Sequence, residues 1–174
     1  MNPVMDAMLA RRSIRKYKAD AVPKELIDQI VTAGTYAASA RGHQSTIILA
    51  VTNRALRDRL SEMNRKIGGW EDGFDPFYGA PAVLVVLAEK DWANRVYDGS
   101  LVMGNLMLAA HTLGLGSCWI HRAKEEFESE EGKALLAELG ITGEYEGIGH
   151  CVLGYPDEQP TPAPRKENFV FYAD

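Results

Sequence analysis

Ala82-Val83-Leu84-Val85-Val86-Leu87-Ala88 is an unbroken apolar run of strand length, led in by Pro81. A strand without polar alternation has no face to give to water, so this run predicts a central strand buried on both sides. The rest of the chain must then supply two covering layers. Further strands are predicted over Thr46 to Thr52 and Ile148 to Leu153, with a short one at Gly116-Ser117-Cys118-Trp119-Ile120. Asn2-Pro3 opens a short helix over Val4 to Ala10, because a capping side chain is followed by Pro in the first turn. Pro23 opens a second helix, with Leu26, Ile27, Ile30 and Val31 at helical spacing. Leu56, Leu60, Met63 and Ile67 mark a third. Leu135, Leu136 and Leu139 mark another, ended by Gly140.

The 174 residues are read as one domain, 1–174, long enough to bury a sizeable core. A net charge of −5 argues against nucleic acid as a partner, since neutralising many phosphates takes a broad basic face. Cys118 and Cys151, the only cysteines, lie among apolar neighbours, too far apart for a CxxC motif, and read as core. No metal-ligand cluster is evident. Met1-Asn2-Pro3-Val4-Met5-Asp6 lacks the regions of a signal peptide, so the expected location is cytoplasmic. No stretch approaches the roughly 18 apolar residues of a membrane span.

Against this acidic background, Arg11, Arg12, Arg15, Lys16 and Lys18 crowd one short segment, with Ser13 among them. Guanidinium forks beside a hydroxyl suit a phosphate better than a carboxylate. The same residues also read as a solvated basic helix end that offsets the last carbonyls, and the run alone does not choose.

Two features point outside the single chain. From Tyr97 to Leu113 a helix is apolar on most of its circumference, which burial between two subunits would explain and a central helix of a monomer would explain as well. Residues 156–174 begin with Pro156, Pro160, Pro162 and Pro164, an extended arm, and end near Phe169-Val170-Phe171-Tyr172. Those four residues are expected to pair with a sheet edge, of the same chain or, as favoured here, of a second subunit. The loop from Gly68 to Tyr78, with Trp70, Phe74 and Phe77, reads as cleft lining or as packing.

In this order the chain resembles the small members of the FMN-dependent nitroreductase family. The resemblance is carried by Arg11-Arg12-Ser13-Ile14-Arg15-Lys16-Tyr17, Ala38-Ser39-Ala40-Arg41-Gly42-His43-Gln44-Ser45 and Phe77-Tyr78-Gly79-Ala80-Pro81. Leu113-Gly114-Leu115-Gly116-Ser117-Cys118-Trp119-Ile120 and Leu153-Gly154-Tyr155-Pro156 with Pro164-Arg165-Lys166 complete it. It implies a homodimeric α+β fold, a central mixed or antiparallel sheet flanked by helices, with the arm adding a strand to the partner's sheet and FMN at the subunit interface. By the same resemblance Arg11, Ser13 and Arg15 hold the flavin phosphate and ribityl chain, Arg12 also touches the flavin, and Arg165 returns from the arm to the phosphate. Lys166 is a looser candidate.

Ser39, Ala40, Gly42 and Gln44 match the segment that a second subunit lays along the flavin ring. Here Gly42 stands where the family usually has Asn, and Ser45-Thr46 replace its common Pro-Trp. Trp119, Ile120 and His121 match the stretch whose main chain runs beside the ring. His43 and His121 read as proton donors or as polar rim residues, and His111 and His150 as structural. No catalytic side chain is assigned. The implied activity is reduction of nitroaromatics, quinones or related small acceptors by NADH or NADPH in a ping-pong sequence. The absence of GxGxxG after a strand fits a nicotinamide that binds only transiently. The rival readings are a non-catalytic FMN store or redox sensor, and a dimerisation domain that binds nothing.

Overall fold

A computed structural model describes residues 2–173, so Met1 and Asp174, the ends of the expected domain and arm, lie outside the described residues. Four strands, β1 (Thr46–Val51), β2 (Ala82–Glu89), β3 (Gly116–Ile120) and β4 (Tyr145–Gly154), form one sheet in the order β1-β2-β4-β3. All three pairings are antiparallel. The fold is therefore α+β with an antiparallel sheet. Among the described residues six α-helices flank it: α1 (Pro3–Ala10), α2 (Lys24–Thr35), α3 (Arg54–Gly68), α4 (Arg95–Thr112), α5 (Ala123–Glu128) and α6 (Glu130–Glu138).

The apolar run is β2, an interior strand, and its pleat divides it between two cores. Val83, Val85 and Leu87 pack with Leu60, Phe127, Leu135 and Leu136 of α3, α5 and α6. Ala82, Leu84 and Val86 pack with Ile27, Ile30, Met103 and Leu106 of α2 and α4. Continuous hydrophobicity here comes from helices on both faces of an antiparallel sheet. Burying a Val or Leu side chain contributes about 1.5–3 kcal/mol, which makes this strand the centre of the fold's stability.

β4 begins at Tyr145, three residues before its apolar stretch, because Tyr145, Glu146 and Gly147 pair with β2 beyond a bulge at Val86/Leu87. Glu146 is buried there by Arg95, whose Nε lies 2.8 Å away. Gly147 allows α5 to lie directly on β4, since a Cβ at that position would fall 2.1 Å from the Ala123 carbonyl oxygen.

In the single chain α4 is not surrounded. Asp98, Gly99, Val102, Met103, Leu106 and Ala110 face inward. Tyr97 and Leu101 are 71% and 50% exposed, and Val4, Met5, Met8 and Leu9 of the neighbouring α1 are exposed beside that face. Phe169 to Tyr172 are exposed too and pair with neither edge of their own sheet. No described helix is long and apolar enough to cross a membrane.

Candidate functional site

The basic run leaves α1 and is stitched onto the edge strand β3. Ser13 bridges Ser117 in parallel, and the Ile14 amide donates to the Ser117 carbonyl at 2.9 Å. Tyr17 donates its hydroxyl to the Ile14 carbonyl at 2.6 Å, and burial raises its pKa far above the ordinary phenol range. Lys18 donates its amide to Tyr155, and Asp157 donates its amide to Lys16. The run is thus held between β3 and the start of the arm.

Between them opens a cleft of about 630 Å³, lined by Arg11, Arg12, His111, Ser117, Glu158 and their neighbours. Three donors buried there lack a protein partner: Arg11 Nη1, Arg12 Nε and Ser117 Oγ. Arg12 Nη1 donates to the Leu9 and Arg11 carbonyls at 2.7 Å, so the rest of that guanidinium is fixed toward the cleft. A buried donor without an acceptor is costly, and a phosphate supplies several acceptors together with the compensating charge. Burial lowers the His111 pKa, and the Arg11 and Arg12 guanidiniums lower it further. His111, expected to be structural, lines the cleft, and these surroundings favour its neutral form. The Arg15 amide donates to a Glu158 carboxylate oxygen, while the Arg15 side chain is exposed. Arg165 lies on the exposed arm and donates to the Ala163 carbonyl at 2.7 Å; it does not line the cleft.

A second cluster gathers Ser39, Ala40 and Gln44 around Asp98 of α4. The Ala40 amide reaches Asp98 Oδ1 at 3.0 Å, while Ser39 Oγ and Trp92 Nε1 reach Oδ2 at 3.1 and 3.0 Å. Gln44 donates its amide to Ser39 Oγ at 2.8 Å. Burial works against the Asp98 charge, but the donors from Ala40, Trp92 and Ser39, with His43 nearby, outweigh it and hold the carboxyl below its ordinary pKa. Gly42 sits in the turn at φ +66°, flanked by Arg41 at φ 56° and Gln44 at φ 54°. His43 stacks on Trp92 with ring centroids 4.1 Å apart, and its Nε2 lies 2.7 Å from Glu89 Oε2.

The two clusters are not adjacent within one chain. Asp98 and His111 mark their places on α4, which rises about 20 Å between them at roughly 1.5 Å per residue. Trp119 and Ile120 end β3, with His121 just beyond it, in a third place. Asn64 Nδ2 donates to His121 O at 2.7 Å and to Glu126 Oε1 at 2.6 Å, and Glu126 pairs with His150 Nε2 at 3.0 Å. His150 Nδ1 lies 3.4 Å from the Ile120 carbonyl. His150 is fully buried, as expected of a structural residue, and lies against this strand end. Trp119 Nε1 is buried without a partner. Arg122, at φ 77°, lays its guanidinium 4.4 Å from the Trp70 ring centre, which docks the Gly68–Tyr78 loop beside this strand end.

The sequence reading missed Asp98, Glu89, Ser117, Arg122 and Glu158. Only Asp98 carried a signal, as a carboxylate in the first turn of an otherwise apolar helix.

The chain matches the family model described as the nitroreductase family over residues 8–68 and 70–155. A protein of Methanothermobacter thermautotrophicus named for NADH dehydrogenase or NAD(P)H nitroreductase activity is 32% identical over 163 residues, spanning 90% of this chain and 79% of that protein. The NADPH-flavin oxidoreductase of Vibrio harveyi is 28% identical over 174 residues, 95% of this chain and 70% of its own. The crystal structure of a nitroreductase with bound FMN from Bacteroides fragilis superposes with a TM-score of 0.89 at 25% identity, covering 100% of both chains. With a family match over most of its length and the same fold, the chain belongs to the nitroreductase family.

Proposed function

We propose that this protein is an FMN-dependent NAD(P)H oxidoreductase that works as a homodimer. The observation that carries the reading is the set of three buried donors without partners, Arg11 Nη1, Arg12 Nε and Ser117 Oγ, in one cleft. These donors fit a phosphate monoester, and Arg11, Arg12, Ser13 and Arg15 would hold it. Arg165 would join them by a rearrangement of the arm. When bound, FMN would supply the redox chemistry, taking electrons from NADH or NADPH and passing them to a nitroaromatic, a quinone or a related small acceptor in a ping-pong sequence.

The chain's own residues supply orientation. The main chain at Trp119, Ile120 and His121, fixed by Asn64 and His150, would border the ring. Ser39, Ala40, Gly42 and Gln44 would come from the second subunit, which is supported by their distance from Arg11 within one chain. Dimerisation would cover the exposed stripe of Tyr97 and Leu101 on α4 with Met5, Met8 and Leu9 of α1. The arm, residues 156–174, would place Phe169 to Tyr172 on the partner's sheet edge.

The test is an absorbance spectrum of purified protein incubated with FMN and passed through gel filtration, then treated anaerobically with NADPH and with NADH. Retained flavin that bleaches supports the oxidoreductase and names its donor. Retained flavin that stays oxidised shows a storage or sensing protein instead. Failure to retain flavin overturns the assignment of the cleft.

A further inference from the structure

We infer that Asp98 is the positioning residue that gives the Ser39–Gln44 segment its shape, and that Ser39 serves the cofactor through that shape rather than by donating to it. The second half of the inference rests on the proposed placement of this segment against FMN.

Asp98 is 3% exposed and forms no ion pair among the described residues. Its charge is met by three neutral donors and by its place in the first turn of α4, where the helix N-terminus favours an anion. A carboxylate accepts and does not donate. The Ser39 hydroxyl proton must therefore point at Asp98, and its lone pair receives the Gln44 amide. With its proton committed, Ser39 has none to offer a ligand. Its hydroxyl instead closes a loop from residue 39 to residue 44.

That loop holds a conformation the chain would not choose alone. Arg41 and Gln44 occupy the left-handed region, which is disfavoured for residues with a Cβ and is retained only where the surroundings impose it. Asp98 fixes the start of the loop through Ala40 and Ser39. It fixes the far side through Trp92, whose indole donates to Asp98 and stacks on His43, while Glu89 holds the other edge of that imidazole. Gly42 brings no side chain to help. Beyond its own turn bonds, from the Gly42 amide to the Ser39 carbonyl and from the His43 amide to the Ala40 carbonyl, the segment is anchored by one carboxylate on another element.

The experiment compares wild type, Asp98→Asn, Ser39→Ala and the double variant as apoproteins. Hydrogen–deuterium exchange is read for peptides covering 39–44 and for α4, and FMN dissociation constants are read by flavin fluorescence. Both single variants are expected to speed exchange in 39–44 at least tenfold, leave α4 protected, and weaken FMN at least tenfold. The double variant is expected to weaken FMN no more than Asp98→Asn does, because both changes break one device. Multiplying losses would mean that Ser39 acts on FMN directly and would overturn the inference. Unchanged exchange in 39–44 would overturn the clamp itself, and Ser39→Ala, which leaves Asp98 two donors, decides this even where Asp98→Asn does not fold. A wild type that binds no FMN sinks the proposed function, while the exchange data still judge the clamp.

Discussion

Two sets of arginines on this chain have opposite fates. Arg57 on α3 is 3% exposed and every guanidinium nitrogen is used: Nε donates to the Ala80 carbonyl at 3.0 Å, Nη1 to Asp58 at 3.0 Å and Nη2 to Asp75 at 2.5 Å. Its guanidinium also lies 5.4 Å from the centre of the Phe77 ring. Arg11 and Arg12 are only partly buried, yet each buries a nitrogen without a partner. A guanidinium completed by its own chain is part of the fold. One left incomplete beside a cleft has donors to give a ligand, the role proposed for Arg11 and Arg12, so the distinction lies in satisfaction rather than in burial.

The largest effect that could break this contrast comes from Arg57→Ala. It empties the buried space that the guanidinium fills and takes the ion pair from Asp75, which keeps Ser61 and the Phe77 and Gly79 amides, and is expected to cost about 3 kcal/mol, measured by urea unfolding of the apoprotein. Arg11→Ala should do the reverse. Apoprotein stability is expected to stay within about 0.5 kcal/mol of wild type, while FMN binding loses about 1.5–3 kcal/mol in titration. If the two variants destabilise equally, the contrast is wrong.

The pH dependence sharpens it. Burial opposes the Asp75 charge, but bonds from Arg57, Ser61 and the Gly79 amide outweigh burial and keep its pKa below the usual carboxylate range. The folded value lies below the unfolded one, so this stabilisation is whole above about pH 4 and is lost as pH falls through the folded value. Asp75→Asn should flatten the acid limb of a stability–pH curve, and Arg11→Ala should leave that limb in place. The smallest effect concerns Glu158, whose carboxylate takes the Arg15 amide at the edge of the cleft. Removing a like charge there, as in Glu158→Gln, is expected to tighten FMN by about 0.2–1 kcal/mol, read by the same titration.

What the sequence made legible follows the same division. The strand at Ala82–Ala88 was readable because apolar continuity reports burial directly, and the basic run because its charge stands out in an acidic chain. Helix α5 was not, since Ala-Lys-Glu-Glu-Phe-Glu is short and charged, and Glu126 is buried only because His150 and Asn64 meet it from distant segments. The Gly68–Tyr78 loop gave few signals because Asp75 organises it through Arg57 and Ser61 on α3. Asp98 was passed over because its partners lie in Ser39, Ala40 and Trp92. Contacts made across sequence distance leave no local pattern. The helix stripe and the terminal aromatics stay exposed in the single chain, and the proposed dimer would cover them.

The separation of the two clusters along α4 has a genetic consequence. In the proposed dimer each site draws its phosphate cradle from one chain and its ring-facing segment from the other. A chain carrying Arg11→Ala and a chain carrying Asp98→Asn, each impaired by itself, would complement when mixed: one site of their heterodimer joins both damaged halves, and the other joins both sound ones. Random pairing of the two would restore roughly a quarter of the sites, a rescue that no monomer and no site confined to one chain could produce.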